Sequence, residues 1–180
     1  MNPAGKFKVN SGLFVAESKI NGLGVFASRN FQAGETVLQI DDSRLVNEKN
    51  PLRTELGEFE YHCDYLEGGE IVYLRSPERY INSCCDPFVY VKTIGGIRCI
   101  VALKPIKTGE EITYDYIIDC HGGTVWQCSC GSRNCRRMIV SSFFELPHEK
   151  QIEYLPLLNP WFINEHMEKV EQLRKMSEEF

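Results

Sequence analysis

The sequence lacks long apolar runs, an excess of basic residues and an apolar segment at its N-terminus. No hydrophobic run approaches the roughly 18 residues that a membrane-spanning helix needs, so no membrane partner is expected. Residues 1–6 lack the apolar core of a secretory signal, which favours an intracellular location. Residues 1–144 carry 16 basic and 17 acidic side chains, and this near-neutral balance argues against direct nucleic-acid binding.

Glycine and proline are too few for a disordered or collagen-like chain. They make up 14 and 8 of the 180 residues, while apolar residues make up 43%. A chain of this length suits one globular domain with a short appendage. The net charge is −5, and residues 145–180 contribute −4 of it through 8 acidic and 4 basic side chains, which is typical of a solvated helix face.

The appendage at residues 145–180 has the signals of α-helices. Pro147 can open one helix, and Asn159 followed by Pro160 is an N-cap before a first-turn proline. Apolar residues then recur at helical spacing on one predicted face, at Ile163, Met167 and Val170. We expect this face to pack on the rest of the protein.

The preceding part of the chain predicts short strands separated by turns. Strand candidates lie at residues 13–16, 25–27, 35–40, 70–74 and 112–116. In addition, the Val- and Ile-rich residues 88–94 and 97–103 flank Gly95-Gly96. Two consecutive glycines supply the positive φ angles of a type I′ turn, so this stretch predicts a β-hairpin.

Two other stretches carry weaker signals. Residues 52–65 are predicted to be helical. Residues 31–35 and 106–110 share an apolar-x-x-Gly-Glu pattern before a predicted strand, which indicates that one type of turn is used twice.

Eight cysteines are the strongest chemical signal in the sequence. Because there is no export signal, a metal site explains them better than disulfide bonds do. Cys128, Cys130 and Cys135 can converge on one tetrahedral zinc, which then needs a fourth ligand. The candidates for that ligand are Cys84, Cys85, Cys120 and His121. A zinc closed by four protein ligands has no open position for water, so this zinc is expected to be structural.

Four motifs occur in one order along the chain. They lie at residues 21–27 (NGLGVFA), 79–87 (RYINSCCDP), 109–116 (GEEITYDY) and 128–136 (CSCGSRNCR). In this combination they resemble the SET-domain protein lysine methyltransferases that carry a post-SET zinc motif. The resemblance covers roughly residues 10–140.

The resemblance implies a mostly β protein with the SET-domain β-clip fold, in which small sheets surround a pseudoknot. It places the SET domain at residues 10–118 and the post-SET zinc motif at residues 124–140. The C-terminal α-helices at residues 145–180 lie outside the family pattern.

The resemblance also assigns the cysteines. It implies one structural zinc held by Cys85, Cys128, Cys130 and Cys135. Three other cysteines are then expected to be neither ligands nor disulfide-bonded, namely Cys63, Cys99 and Cys120.

S-adenosylmethionine is the cofactor that the resemblance implies. The glycines of the turn at residues 21–24 would let the backbone approach the cofactor closely. The positions implied to contact it are Asn21, Gly22, Leu23, Gly24, Tyr61, Arg79, Asn82, Ser83, Tyr116, Trp126 and Ile139.

Two tyrosines are implied to act in the reaction. Tyr116 matches the catalytic tyrosine, and Tyr114 matches an aromatic position that limits how many methyl groups are added. At a spacing of two residues in a strand, both side chains lie on one face. An aromatic channel disfavours the ammonium form of lysine, whose ordinary pKa is about 10.4. Asp115 is expected on the opposite face, in a structural role.

The implied function is methyl transfer to a lysine ε-amine of a histone-like protein, mainly to the mono-methyl product. The sequence departs from the family pattern at Ser83 and Cys84, which replace His-Ser, and at Phe88, which replaces Asn. These changes motivate an alternative, a catalytically silent SET domain that binds cofactor or peptide as an interaction module. The retained Tyr116 favours the enzyme, because a silent domain has no need of it.

The remaining expectations concern partners and location. We expect a monomer whose partner is a protein or peptide carrying the target lysine. The implied location is the nucleus in a eukaryotic cell and the cytoplasm otherwise. The resemblance places peptide specificity in a variable insert, at about residues 41–75.

Overall fold

Short strands account for most of the regular structure in the computed structural model, which describes residues 7–9 and 12–178. The strands are β1 (Phe7–Val9), β2 (Leu13–Glu17), β3 (Leu23–Ala27), β4 (Thr36–Gln39), β5 (Leu45–Val46), β6 (Cys63–Tyr65), β7 (Ile71–Tyr73), β8 (Asn82–Ser83), β9 (Val89–Ile94), β10 (Ile97–Ala102), β11 (Glu111–Tyr114), β12 (His121–Gln127) and β13 (Met138–Ser142). The helices are α1 (His148–Tyr154), α2 (Pro160–Glu165) and α3 (Met167–Glu178). The predicted mostly β class with C-terminal helices is confirmed.

The described strands form four small sheets. Their strand orders are β1-β2-β3-β11-β8, β4-β10-β9, β5-β7-β6 and β12-β13. The pairing of β8 with β11 is parallel, whereas the other pairs of named strands are antiparallel. In the described part of the chain, no helix is long and apolar enough to cross a membrane.

The predicted hairpin and the repeated turn are both present. β9 and β10 pair in register across Gly95 and Gly96, whose φ angles are 58° and 81°. In the repeated turn, the side chain of Glu35 accepts the backbone N–H of Gln32, and Glu110 accepts that of Lys107 in the same way. The two turns also contact each other, because the backbones of Phe31 and Ile106 exchange hydrogen bonds of 2.9 and 3.0 Å.

The first hydrophobic core lies against the five-stranded sheet. Leu13 and Val15 of β2 are buried, whereas Phe14 and Ala16 are only partly covered, as the two-residue period of a strand requires. β3 contributes Val25 and Ala27 to the same core, and β11 contributes Ile112. This core holds β2, β3 and β11 together, and the candidate site described below lies beside β11.

The C-terminal helices build a second core around aromatic rings. Its fully buried members include Ile117, Phe143, Tyr154, Phe162 and Val170. The chain leaves helical geometry at His166, where φ is −122°, so residues 160–178 form two helices. Met167 is therefore 56% exposed, and the predicted apolar face is wrong at that residue. Instead, α3 buries Val170 and Leu173.

The helix predicted at residues 52–65 is wrong. This stretch contains two short 3₁₀ turns, Thr54–Leu56 and Glu60–His62, and then enters β6. Gly57 ends the first turn with a φ of 77°. The buried Glu58 carboxylate accepts hydrogen bonds from the Arg44 side chain and from the backbone and side chain of Arg53. These polar contacts, from residues 5 and 14 positions away, are made by the stretch in its non-helical conformation.

A buried ion pair connects the two cores. Asp115 follows β11 and is fully buried, on the opposite side of the chain from the neighbouring tyrosines. Its carboxylate accepts a 2.7 Å hydrogen bond from Arg136 Nη2 and a 3.2 Å hydrogen bond from the Tyr154 hydroxyl. Asp115 thus links the end of β11 to the cysteine-rich segment and to α1, which agrees with the structural role expected for it.

We predict that Asp115→Asn destabilises the fold by about 3 kcal/mol, because removal of one partner leaves a buried charge uncompensated. The measurement is the free energy of unfolding from urea denaturation. Glu153→Gln is the matched control, since the Lys150–Glu153 pair is exposed and worth at most about 1 kcal/mol. Equal stability of Asp115→Asn and wild type would contradict the structural role of this ion pair.

Candidate functional site

A cavity of about 200 Å³ opens beside the end of β11. Its lining residues come from the insert, from the segment before β8 and from β11, and they are Tyr61, His62, Cys63, Asp64, Leu74, Glu78, Arg79, Ile81, Tyr114 and Tyr116. The rings of Tyr114 and Tyr116 lie 4.7 Å apart between centroids, so the predicted pairing of these side chains on one face is present. The cavity therefore has an aromatic wall with two phenolic hydroxyls.

The Tyr116 hydroxyl is held in a defined orientation. It donates a 2.7 Å hydrogen bond to the carbonyl oxygen of Ile81, while the Tyr116 backbone N–H donates to Ser83 Oγ at 3.4 Å. Burial, followed by the negative charge of Asp64, raises the pKa of Tyr116 to about 12. The phenol is therefore neutral at pH 7. Because its proton is directed to Ile81, its oxygen lone pairs remain available to accept a hydrogen bond.

Tyr114 is a second neutral phenol in the same wall. Burial raises its pKa well above the ordinary value, and the charge of Asp64 adds to the effect. The Asp64 carboxylate stays fixed near both rings because it accepts a 2.7 Å hydrogen bond from Arg98 Nη1. One insert residue thus influences the electrostatics of both tyrosines.

Asn82 joins the turn at residues 21–24 to the first residue of β11. Its buried Nδ2 donates to the carbonyl oxygens of Asn21 and Leu23 at 3.2 and 3.0 Å, and to Glu111 Oε1 at 2.9 Å. Ser18 Oγ donates to the same carboxylate at 2.8 Å. One amide therefore holds together three of the segments in which cofactor contacts are predicted.

Glycine occupies the two positions of this turn for different structural reasons. A Cβ at Gly24 would collide with the Glu111 carboxylate, so the contact between Asn82 and Glu111 requires glycine there. Gly22 has a φ of 46°, and a Cβ at that position would meet nothing within 4 Å. The backbone at Gly22 thus borders open space. This leaves the backbone accessible to a ligand, which the predicted cofactor contacts at residues 21–24 require, and the contacts themselves stay a prediction.

The other predicted cofactor residues lie in different surroundings. Tyr61 is 74% exposed at the cavity, and Arg79 lines the cavity while donating to the hydroxyls of Tyr73 and Tyr80 at 2.7 and 2.6 Å. Trp126 and Ile139 face each other across the β12–β13 pair and pack on the second core. They are not among the residues that line the cavity, so their cofactor contacts stay a prediction.

Several residues of the cavity wall were missed by sequence reasoning. His62, Cys63 and Asp64 of the insert, and Glu78 after it, belong to none of the four motifs. For Cys63 and Asp64 the signal would have been the strand period of β6, which the predicted helix at residues 52–65 concealed. Glu78 is 93% buried (7% exposed), and burial raises the pKa of its carboxyl group.

The two departures from the family motif are accommodated by the backbone. Ser83 pairs with Tyr114 in the parallel β8–β11 contact, and its hydroxyl accepts the N–H of Tyr116. The Phe88 N–H donates to the carbonyl oxygen of Thr113 at 2.9 Å, while its ring packs on the first core. Neither substitution interrupts the contact between β8 and β11.

Four cysteine sulfurs converge as the resemblance implied. The Sγ atoms of Cys85, Cys128, Cys130 and Cys135 all lie within 4.8 Å of one another. The Cys85–Cys128 sulfur distance is 3.7 Å, close to the edge of about 3.8 Å that a tetrahedron with zinc–sulfur bonds of about 2.3 Å requires. The donor set and its spacing therefore fit one zinc ion.

The alternative fourth ligands make other contacts. Cys120 Sγ donates to the carbonyl oxygen of Ser141 at 3.4 Å. His121 Nδ1 lies 3.1 Å from Ser142 Oγ, and its ring packs against that of His166. Cys84 is buried beside the cluster but is outside the converging set. Among the described residues the cluster consists of the four cysteines alone.

Comparison with known proteins identifies related chains. The SET domain model matches residues 22–117. A Yarrowia lipolytica histone-lysine N-methyltransferase, H3 lysine-36 specific, is 30% identical over 132 residues, which is 67% of this chain and 17% of that protein. An Eremothecium gossypii histone-lysine N-methyltransferase, H3 lysine-4 specific, is 30% identical over 134 residues, 67% of this chain and 14% of that protein.

These relatives are much longer than this chain, which spans between 4% and 19% of the lengths of the first curated proteins that it matches. A solved Plasmodium falciparum structure covers 60% of this chain and 95% of its own, with 17% sequence identity and a TM-score of 0.47. A structural likeness of that degree carries no argument about function.

The cysteine geometry predicts near-stoichiometric zinc in protein purified without a chelator, as measured by elemental analysis. Cys130→Ser is expected to lose the metal and to lower the thermal midpoint, because ligand binding stabilises the folded state. Cys63→Ser is the matched control and should keep the zinc, since Cys63 lies outside the cluster. Wild-type protein that contains no zinc would show that the cluster is not a zinc site. A Cys130→Ser variant that keeps one zinc per chain would show the same.

Proposed function

The chain belongs to the SET-domain family, and we propose that it transfers a methyl group from S-adenosylmethionine to the ε-amine of a lysine in a protein substrate. The observation that carries this proposal is the Tyr114–Tyr116 pair in the wall of the cavity, beside the Asn82-centred contact of three chain segments. These groups would orient the substrate amine and the cofactor, and they would exclude water from the space between them.

Residues around Asn82 would hold the cofactor. When bound, S-adenosylmethionine supplies an activated methyl group on a cationic sulfur. The backbone at Gly22 faces open space, and the Asn82 amide fixes the carbonyl groups on both sides of that glycine. Ser83 continues the same surface through its contact with the Tyr116 N–H. The site is thus pre-organised before any ligand enters.

The proposed reaction needs the neutral amine of the substrate lysine. An ordinary lysine has a pKa near 10.4, and the cationic sulfur of bound S-adenosylmethionine would lower that pKa, because a like charge nearby disfavours the ammonium form. Tyr116 cannot serve as a strong base, since its pKa of about 12 keeps the hydroxyl protonated at pH 7. Its oxygen instead accepts an N–H of the amine and thereby directs the nitrogen lone pair, an orientation effect.

Tyr114 would limit the number of methyl groups added. Its hydroxyl belongs to the same wall as that of Tyr116, and the two rings are in contact. A hydroxyl in this position can hold a water molecule or accept the amine N–H in the space that further methyl groups require. We therefore propose mainly mono-methylation.

The proposed substrate is a histone-like protein, in the nucleus if the source is eukaryotic. The two relatives described above are specific for different lysines of histone H3, so relationship alone does not select a target lysine. The chain covers a small part of each relative, and the substrate must be identified on the protein itself.

A catalytically silent SET domain is the second candidate function, because Ser83 and Phe88 replace family residues. Both positions keep their backbone contacts to β11, and Tyr116 is positioned at the cavity. These observations support the enzyme over the silent module. The following experiment separates them.

We predict that Tyr116→Phe lowers the rate of methyl transfer by about 100-fold or more, because the amine loses its orienting acceptor. The assay is transfer of labelled methyl to histones and basic peptides. Tyr90→Phe is the control, since it removes the same hydroxyl from a tyrosine outside the cavity. A wild type that binds the cofactor in calorimetry but methylates no substrate would favour the silent module.

We predict that Tyr114→Phe shifts the product from mono-methyl-lysine towards di- and tri-methyl-lysine. The lost hydrogen bond is worth about 0.5–1.5 kcal/mol, up to roughly a factor of ten in rate, which changes the product without abolishing turnover. Mass spectrometry of one methylated peptide measures the product distribution. Tri-methyl-lysine as the main wild-type product would contradict this role of Tyr114.

A further inference from the structure

Tyr116 belongs to a short turn that connects β11 to β12, and we refer to residues 115–120 as the tyrosine turn. The backbone N–H of Ile118 donates to the carbonyl oxygen of Asp115 at 3.1 Å, which closes the first part of the turn. Ile117 and Ile118 are buried in the second core, whereas Tyr116 lines the cavity. The backbone of the tyrosine turn therefore sets the direction in which the Tyr116 side chain leaves the chain.

The C-terminal extension, residues 145–178, holds the tyrosine turn at Asp119. The Asp119 carboxylate accepts the backbone N–H of Asn159 at 2.8 Å through Oδ1 and the side-chain Nδ2 of Asn159 at 2.5 Å through Oδ2. Burial raises the pKa of Asp119 to about 6, while the hydrogen bonds from Asn159 oppose that rise, so the carboxylate prevails at pH 7. Hydrogen bonds to a charged acceptor are among the stronger ones in proteins.

The same extension holds the start of the tyrosine turn, and Asn159 is itself anchored to a strand. The hydroxyl of Tyr154, which is fully buried, donates to Asp115 Oδ2 at 3.2 Å. Asn159 is 4% exposed, and its Nδ2 also donates to the carbonyl oxygen of Val91 in β9 at 3.4 Å. Its Oδ1 accepts the hydroxyl of Thr93 at 3.3 Å. The extension thus contacts both ends of the turn, and its contact at Asp119 is braced against β9.

Resting on the methyltransferase activity proposed above, we propose that Asn159 is a positioning residue for Tyr116 and acts through the Asp119 carboxylate. Ile81 and Ser83 contact Tyr116 only from the β8 side, at its hydroxyl and its backbone N–H. The contact between Asn159 and Asp119 restrains the backbone on the other side of the tyrosine. Because methyl transfer depends on alignment of the reacting atoms, loss of this restraint lowers the rate although no group that touches the substrate is removed.

Asn159→Ala tests the proposal in the full chain. We expect kcat for methyl transfer to fall about tenfold, while the affinity for S-adenosylmethionine in calorimetry stays at the wild-type value. Gln151→Ala is the matched control, because Gln151 is a buried amide of the same extension that donates only to the carbonyl oxygens of Phe144 and Leu146. It should keep the wild-type kcat. Thermal unfolding of both variants verifies that they are folded at the assay temperature.

An exchange of the two side chains tests the contact itself. Asn159→Asp sets two carboxylates against each other and should lower kcat the most, because like charges repel. The double variant Asp119→Asn/Asn159→Asp restores one carboxylate and one amide, and it should recover most of the wild-type kcat. Asparagine is suited to position 119, since the φ of 62° there lies in the left-handed region that it tolerates. A double variant no faster than Asn159→Asp would contradict the proposal.

Backbone hydrogen exchange gives a readout that does not require turnover. The N–H groups of Tyr116 and Ile118 are hydrogen-bonded within or beside the tyrosine turn. Both should exchange about tenfold faster in Asn159→Ala than in wild type, because the turn opens more often when its restraint is lost. Gln151→Ala should leave these two exchange rates unchanged.

The outcomes separate this proposal from the methyltransferase proposal. If exchange accelerates in Asn159→Ala while wild type methylates no substrate, the restraint on the tyrosine turn is supported and the methyltransferase activity fails. If wild type is active and Asn159→Ala keeps the wild-type kcat, the activity stands and the positioning role is refuted, whatever the exchange rates are. An equal loss of kcat in Asn159→Ala and Gln151→Ala would also refute it, since the effect would then follow general destabilisation of the extension.

Discussion

The parallel pairing of β8 with β11 is the contact on which the candidate site depends. Its register sets Asn82 opposite Thr113 and Ser83 opposite Tyr114. With that register fixed, the carbonyl of Ile81 reaches the Tyr116 hydroxyl and the Asn82 amide reaches Glu111. Parallel strands cannot be joined by a tight turn, so the intervening residues must leave the sheet and return. The predicted hairpin of β9 and β10 occupies that connection, and its ends are therefore held by the same contact.

The cysteine cluster secures the other end of this arrangement. Cys85 comes shortly after β8, whereas its three partner cysteines lie after β12. Arg136, next to the last of them, donates its backbone N–H towards Cys85 Sγ at 3.5 Å and its side chain to Asp115. The cluster and the buried ion pair thus restrain Cys85, after β8, and Asp115, directly before Tyr116. A change in the cysteine cluster would therefore reach Tyr116 through these two contacts of Arg136.

Features determined by local chemistry could be predicted from the sequence, and features determined by distant partners could not. The Gly95-Gly96 turn, the repeated Gly-Glu turn and the three cysteines at residues 128–135 each depend on residues within a short motif, whereas the distant Cys85 was assigned by the family resemblance. The four motifs also indicated the family and the two tyrosines. In contrast, the conformation of residues 52–65 follows from Arg44, which reaches Glu58 across the insert. The interruption between α2 and α3 at His166 is likewise absent from the local pattern. The apolar periodicity therefore wrongly placed Met167 on the buried face.

The same division separates the two sides of the cavity. Tyr114 and Asn82 lie on paired strands, and Tyr116 follows two residues after the end of β11, so a small displacement there would disturb the orientation that the proposed methyl transfer needs. The insert instead supplies its side of the cavity from short 3₁₀ turns and a three-residue strand. Such a segment tolerates changes of sequence at its exposed positions, because few of those side chains support the core. Asp64 is the exception. Its ion pair with Arg98 of β10 holds the insert against the second sheet and keeps a negative charge beside both phenols. The exposed positions of the insert, such as Phe59 and Glu60, can therefore change without a change at the tyrosines, whereas a change at Asp64 affects the insert and both phenols together.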